Sequence, residues 1–293
     1  MPPLRLALLV SLAMLAFAGN SLLCRMALKA TSAGDSGIDA ASFTVMRMVS
    51  GACVLWLLVQ LRGGAQRSVT LGGNWLSAAA LFAYAMCFSL AYVSMPAATG
   101  ALLLFGAVQA SMTGYGLWQG ERLGRRQLAG LALALAGLVV LMLPGLATPS
   151  LLSAVLMITA GVSWGIYSVR GKRGSAPGAA ATDPTRETAG NFVRTVPMVL
   201  LWALIARHQL TPDGTGLWLA FLSGAVTSGL GYAIWYHALP ALKTTQAAVV
   251  QLSVPVIAAL GGVVLLAESL SLPMVLASAA VLGGIALVTL VRK

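Results

Sequence analysis

Charge is scarce in this chain. Only 9% of its 293 residues are charged, against roughly 25% in a soluble globular protein, so a soluble domain of this length would lack the residues to cover its own surface. Acids are scarcer still. All seven (Asp35, Asp39, Glu121, Asp183, Glu187, Asp213 and Glu268) fall in polar connections or at the ends of apolar runs, which leaves no acidic pair at depth to relay protons or cleave a bond. The two histidines, His208 and His237, also sit near run ends, and the sequence contains no HExxH and no P-loop lysine motif. These absences argue against an enzyme. The three cysteines, Cys24, Cys53 and Cys87, lie inside apolar runs and match neither a disulfide framework nor a CxxC metal pair, so the expectation is packing, with no metal and no cofactor. The short alternating segments of an outer-membrane barrel are missing as well.

What is present is 59% hydrophobic sequence, gathered into runs near 6–28, 40–61, 74–93, 97–118, 127–143, 150–170, 189–206, 216–237, 244–266 and 273–291. A spanning helix needs about 20 mostly apolar residues, and abundant Gly, Ala and Ser let such helices approach closely in lipid. The expected fold is an all-α integral membrane protein of ten transmembrane helices. Its long polar stretch, GKRGSAPGAAATDPTRET at 171–188, reads as a loop. The opening segment, with Ala16-Phe17-Ala18, also has the form of a secretory signal peptide, but the repeat described below requires it as the first helix.

A net charge of +11 suits a nucleic-acid binder in a soluble chain. Here most Lys and Arg fall between apolar runs, so no nucleic-acid partner is expected. With the N-terminus inside, thirteen basic residues collect on one side, among them Arg5, Arg62, Arg122, Arg170, Lys172 and Lys243, while Arg25, Lys29 and Arg207 fall on the other. The positive-inside rule then makes both termini cytoplasmic.

Displacing the chain against itself by 147 positions aligns Glu121 with Glu268, Arg47 with Arg194, Phe17 with Trp164, Ser21 with Ser168, and Phe88 with Trp235. The acid and arginine matches are informative, because such residues are rare in these runs. Residues 1–146 and 147–293 are thus two repeats of five helices. An odd number inverts the second repeat, an architecture that places a transporter's substrate near the midplane between halves.

The stretches LLLFGAVQASMTGYGLWQGERL, SWGIYSVRG and YHALPALKTTQAAVVQLSVPVIAALGGVVLLAESL resemble the drug/metabolite transporter superfamily, EamA type. The resemblance extends over the whole chain. It implies a multi-pass bacterial inner-membrane protein that exports amino acids, aromatic ones included, or similar small metabolites. Alternatives are a multidrug exporter of lipophilic cations and, from another class, a lipid-handling membrane enzyme or scramblase. Oligomeric state is open, and a monomer is compatible with this sequence. Many relatives carry proline in the fourth helix of both halves. This chain has Pro255 in the second half but Val108 at the matching place in the first, so a symmetric hinge is not expected.

Trp and Tyr normally gather at membrane interfaces, and several here lie far from them. Phe17, Asn20, Tyr84, Gln109, Trp164, Tyr167, Tyr232, Trp235 and Gln251 are the candidate substrate-binding residues, a set able to stack an apolar side chain and hydrogen-bond a polar head. Pro255 is the candidate hinge, where the backbone hydrogen bonding of its helix breaks. Arg47 and Arg194 either bind a substrate carboxylate or fix packing, and their repeat relation favours packing. Glu121 and Glu268 read as acids at helix N-termini, where the macrodipole stabilises them.

Overall fold

The computed structural model describes residues 1–29, 37–63, 71–94, 97–142, 150–173, 183–266 and 272–289, and every regular element among them is helical. In order these are α1 (Pro3–Lys29), α2 (Ala40–Gly63), α3 (Trp75–Ser94), α4 (Ala97–Trp118), α5 (Arg125–Met142), α6 (Leu151–Arg173), α7 (Pro184–Ile205), α8 (Gly214–Leu222), a π-helical segment (Ser223–Leu230), α9 (Gly231–Ala238), α10 (Thr244–Val250), α11 (Ser253–Leu266) and α12 (Leu272–Thr289). Seven stretches among the described residues are long and apolar enough to cross a membrane: α1, α2, α3, α6, α7, the continuous rod from α8 through α9, and α10 running into α11.

Polarity is arranged inside out. Leu4, Leu61, Leu151, Leu201 and Val264 stand exposed on the outer surface, whereas Asn20, Thr44, Arg47, Ser89, Ser228 and Gln251 are buried. An apolar exterior over a core that also holds these polar groups is the distribution that lipid tolerates and water penalises.

Three departures from the expected runs have local causes. Helix α7 starts at Pro184, inside the stretch read as a loop, because Asp183 accepts a hydrogen bond from the Thr185 amide and Pro184 occupies the first turn. That is a favourable helix start. The second is the break between α10 and α11. Pro255 has no N–H for the Gln251 carbonyl and its ring crowds that group. The Val254 amide donates to it instead at 3.1 Å, and Leu252 donates to Val249 at 3.0 Å, a tightening that separates α10 from α11. Helix α4 runs unbroken through Val108, so the two halves differ here. The third departure is the π segment, whose Gly224 lies so close to the Arg47 carbonyl and the Ser50 hydroxyl that a Cβ would not fit.

Several helix pairs run antiparallel, as their contacts show. In α2 and α7, Arg62 meets Thr185 while Gly51 meets Phe192. In α5 and α12, a Cβ at Gly130 would lie 2.7 Å from the Gly284 carbonyl, and one at Gly137 would lie 2.8 Å from the Ala277 carbonyl, so glycine permits backbone contact without a hydrophobic drive between helices. Helix α6 is antiparallel to α3, with Arg170 donating to Ser77 at one end and Ser94 paired with Ser153 at the other. These pairings define two ends of the bundle, one marked by Arg62 and one by Asp39.

Candidate functional site

Five of the nine candidate binding residues meet around a single void. Phe17 and Asn20 from α1, Tyr84 from α3, Trp164 from α6 and Tyr232 from α9 line it together with Ser21, Leu104 and Phe105. Trp164 is the hub: its ring centroid lies 4.7 Å from Tyr232, 5.1 Å from Tyr84 and 5.2 Å from Phe17. Offset and edge contacts at such distances contribute about 0.5–1.5 kcal/mol each beyond area burial. The void holds about 20 Å³, room for one water molecule and far less than an amino acid requires.

Three more candidates form the backing of this ring cluster. Gln251 accepts from Trp164 Nε1 at 2.6 Å and donates Nε2 to the Ala247 carbonyl at 3.1 Å and Met112 Sδ at 3.3 Å. The indole is therefore tied to the first residue of the α10–α11 break. Trp235 packs on Phe17 at 5.8 Å. Tyr167 touches Trp164 at 5.9 Å and Tyr236 at 5.3 Å, outside the void. Gln109 stands apart: its Nε2 donates to Thr113 one turn along α4 at 2.6 Å.

Arg47 and Arg194, matched by the 147-position displacement, occupy different settings. Arg194 donates to the Gly72 carbonyl at 2.6 Å and the Gly190 carbonyl at 2.9 Å, which joins the start of α7 to the segment before α3. Packing accounts for it. Arg47 is fully buried beside the void. Its Nε donates to Ser228 at 2.9 Å, and its Nη2 donates to Tyr232 at 2.9 Å and Tyr84 at 3.4 Å. Nη1 has no partner, and among the described residues no carboxylate pairs with this guanidinium. Its plane also lies 5.3 Å from the Tyr84 ring and 5.5 Å from that of Phe88, contacts that favour a cation.

The π segment supplies residues that sequence reasoning missed. Ser223 donates to Asn20 Oδ1 at 2.6 Å, and Ser228, five residues on, receives Arg47. A π turn bonds residues five apart, so one stretch brings both hydroxyls to the same side. Its composition, SGAVTSGL with Gly231 following, was the available signal.

Glu121 follows its expected chemistry with an unexpected partner. It accepts from the Thr244 amide at 2.7 Å and the Thr245 amide at 3.0 Å, capping α10 rather than the helix that follows it. Lys172 Nζ lies 3.9 Å away. Burial opposes ionisation, but the bonds from Thr245 and Thr244 outweigh it and hold this carboxyl below its ordinary pKa. Glu268 lies outside the described residues. Among those residues no cluster of His, Cys, Asp and Glu suits a metal ion.

The sequence model of the EamA-like transporter family matches residues 151–290. An uncharacterised protein of Pseudomonas aeruginosa is 53% identical over 289 residues, covering 98% of this chain and 96% of its own length. A protein of Archaeoglobus fulgidus described as an uncharacterised transporter is 26% identical over 86% of each chain. A probable amino-acid metabolite efflux pump of Salmonella typhimurium is 28% identical over 64% of this chain and 66% of its own. A crystal structure of a protein only 22% identical superposes with a TM-score of 0.79 over 99% of this chain and 98% of the other, a likeness of fold alone.

Proposed function

Because this chain belongs to the EamA-like transporter family, we propose that it is a secondary transporter that exports amino acids or similar small amphipathic metabolites by alternating access. The membrane is the bacterial inner membrane, and export follows the substrate's own gradient without proton coupling.

The observation that carries this reading is Arg47. Taking a cation out of water costs several kcal/mol unless partners recover it, and here three hydroxyls and two ring faces do so incompletely. A substrate carboxylate would complete the set, while Asn20 and the hydroxyls bind the amine and the Phe17–Trp164–Tyr232 rings hold an apolar side chain. The Salmonella relative's name fits a substrate of that kind. The same guanidinium disfavours lipophilic cations, since like charges repel strongly where the effective dielectric is low.

Alternating access rests on the inverted repeat. What supports the repeat is that α5 and α12, both 18 residues long, begin at 125 and 272, the same 147-residue displacement that aligns the two arginines. Repeat-related α2 and α7 also cross antiparallel, as do α5 and α12, which inversion requires. With α4, α5 and α12 counted as spans beside those seven and both termini cytoplasmic, ten helices alternate consistently. The Arg62 end then faces the cytoplasm and the Asp39 end faces outward, where a cavity of about 710 Å³ is lined by Ile38, Asp39, Ser94, Ser153, Trp202 and Thr211 among others. The central void admits substrate only when the rings part, and the α10–α11 break tied to Trp164 through Gln251 is the element that would move with them.

Reconstituted protein tests the reading. Radiolabelled amino acids should move across the liposome membrane and cationic dyes should not. Arg47→Gln should weaken apparent affinity for carboxylate-bearing substrates roughly ten- to hundredfold, the worth of a charge-assisted hydrogen bond, at normal folded yield. Dye movement without amino-acid movement would favour the multidrug alternative, and lipid flipping alone would favour the lipid-handling one.

A further inference from the structure

A second cavity, about 380 Å³, opens between α1, α2, α7 and α9 at the Arg62 end of the bundle. Its polar lining comes from four helix termini: Arg5 in the opening turns of α1, Arg62 in the last turn of α2, Thr185 in the first turn of α7, and His237 in the last turn of α9. Its remaining walls are aliphatic, with Leu58 and Ile234 among them. We propose that this cavity is a binding site for one anionic glycerophospholipid, with its phosphate between Arg5 and Arg62 and its acyl chains along α1 and α2.

Charge selects the occupant. Among the described residues no carboxylate lies within ion-pair distance of either arginine. Arg62 spends Nη1 on the Thr185 hydroxyl at 3.2 Å, which fixes the guanidinium and leaves its other N–H groups for a ligand. A planar guanidinium offers paired donors to phosphate oxygens. His237 bonds the Ala233 carbonyl through Nδ1 at 2.9 Å, so its Nε2 remains for the cavity. Basic pockets between spanning helices at headgroup depth bind acidic lipid headgroups.

Geometry separates a lipid from a soluble anion. All four polar residues occupy the ends of their helices, the depth of the headgroups, with the aliphatic walls toward the bundle middle. The cavity merges with outward-facing apolar surface, since Leu8, Leu12, Leu57 and Leu61 beside it are exposed. A soluble phosphate has no use for that surface. Acyl chains do.

The experiment is native mass spectrometry of the purified full-length protein in neutral detergent, titrated separately with dioleoylphosphatidylglycerol, dioleoylphosphatidylcholine and inorganic phosphate. Phosphatidylglycerol should bind with defined stoichiometry and the other two should not. Arg5→Gln combined with Arg62→Gln should weaken that binding about thirtyfold, as expected for the loss of two such contacts. Arg125→Gln with Arg126→Gln, exposed at the start of α5, should leave it unchanged. Arg5 has no hydrogen bond or ion pair among the described residues, so Arg5→Gln alone gives a several-fold loss even if the double variant is poorly folded. Equal losses in both double variants would reduce the effect to surface charge, and equal binding of phosphatidylcholine would remove the headgroup's role. Binding of inorganic phosphate at matching affinity would make it a soluble-anion site. Any of the three overturns the proposal.

Discussion

Trp164 is the single residue whose replacement most clearly separates a binding pocket from inert packing. Its indole touches Phe17, Tyr84, Tyr167 and Tyr232 and donates to Gln251 at 2.6 Å. The adjoining void holds only about 20 Å³, so Trp164→Ala empties a volume that nothing nearby fills and should cost about 3–5 kcal/mol. Trp164→Phe keeps a ring in place and removes the indole donor, leaving Gln251 Oε1 unsatisfied at about 1–3 kcal/mol. Folded yield from detergent gel filtration, divided into initial flux in liposomes, gives activity per folded molecule. If Trp164 lines the substrate's side chain, Trp164→Ala lowers flux of bulky aromatic amino acids a further two- to tenfold, roughly, relative to small ones, the range that one ring contact supplies. Trp164→Phe keeps that preference. Losses equal for every substrate and proportional to lost protein would refute the pocket.

Three further outcomes are expected. Single cysteines at Gln66 and Ala147, in a background with Cys24, Cys53 and Cys87 replaced, should label from opposite sides of sealed vesicles, and labelling of both from one side ends the ten-helix topology. Glu121→Gln should lower thermal stability at neutral pH while flux per folded molecule stays insensitive to an imposed pH gradient. The sign follows from its depressed pKa: the Glu121 contribution is present above the ordinary carboxyl value of 4.5 and is lost as pH falls through the lower folded value, so the variant and the parent should converge in stability in acid. Gly137→Leu forces a side chain into the Ala277 backbone, where even a Cβ would lie 2.8 Å from the carbonyl. Monodisperse protein should be lost from detergent extracts, and an unchanged yield would show that α5 and α12 do not depend on that contact.

Much of the helix layout was legible because lipid imposes one simple pattern: long apolar runs, with charge between them. α4 falls at Ala97–Trp118, the run read from hydropathy, and most other helices begin and end within three residues of theirs. Helix α7 began five residues early because hydropathy is blind to caps, although Asp183-Pro184 carries the signal. The site was legible as a set of unusually deep aromatics and amides, but not in its wiring. Hydropathy gives depth, and Arg47 and Arg194 share it. What separates them is neighbours: carbonyls at the start of α7 for one, hydroxyls from the π segment for the other. A π turn shifts which residues share a face, so Ser223 and Ser228 reach Asn20 and Arg47 from a stretch that a regular helix would present differently.

The proposed alternating access would release the clamps at the bundle's two ends one at a time. At one end Asp39, at the start of α2, accepts from the Thr211 amide just before α8 at 2.7 Å. At the other, Glu187 in the first turn of α7 accepts from the Gly73 amide just before α3, also at 2.7 Å. Each clamp joins a carboxylate at one helix's start to a backbone amide in the other half of the chain, and α2 and α7 are the helices that the proposed repeat relates. Asp39 also accepts from the amides of Ala41 and Ser42. Burial opposes its ionisation, yet the Ser42, Thr211 and Ala41 bonds keep its pKa below the ordinary value, so at neutral pH it stays charged and engaged. Between the clamps lie the antiparallel contacts of α2 with α7 and the Arg47 network, which hold the centre closed around the small void. Releasing one clamp costs a charge-assisted hydrogen bond, about 1.5–3 kcal/mol, a penalty small enough for a bound substrate to repay. Releasing both at once would cost twice that and expose the centre to both sides. One end open is therefore favoured over both ends open by the worth of the second clamp.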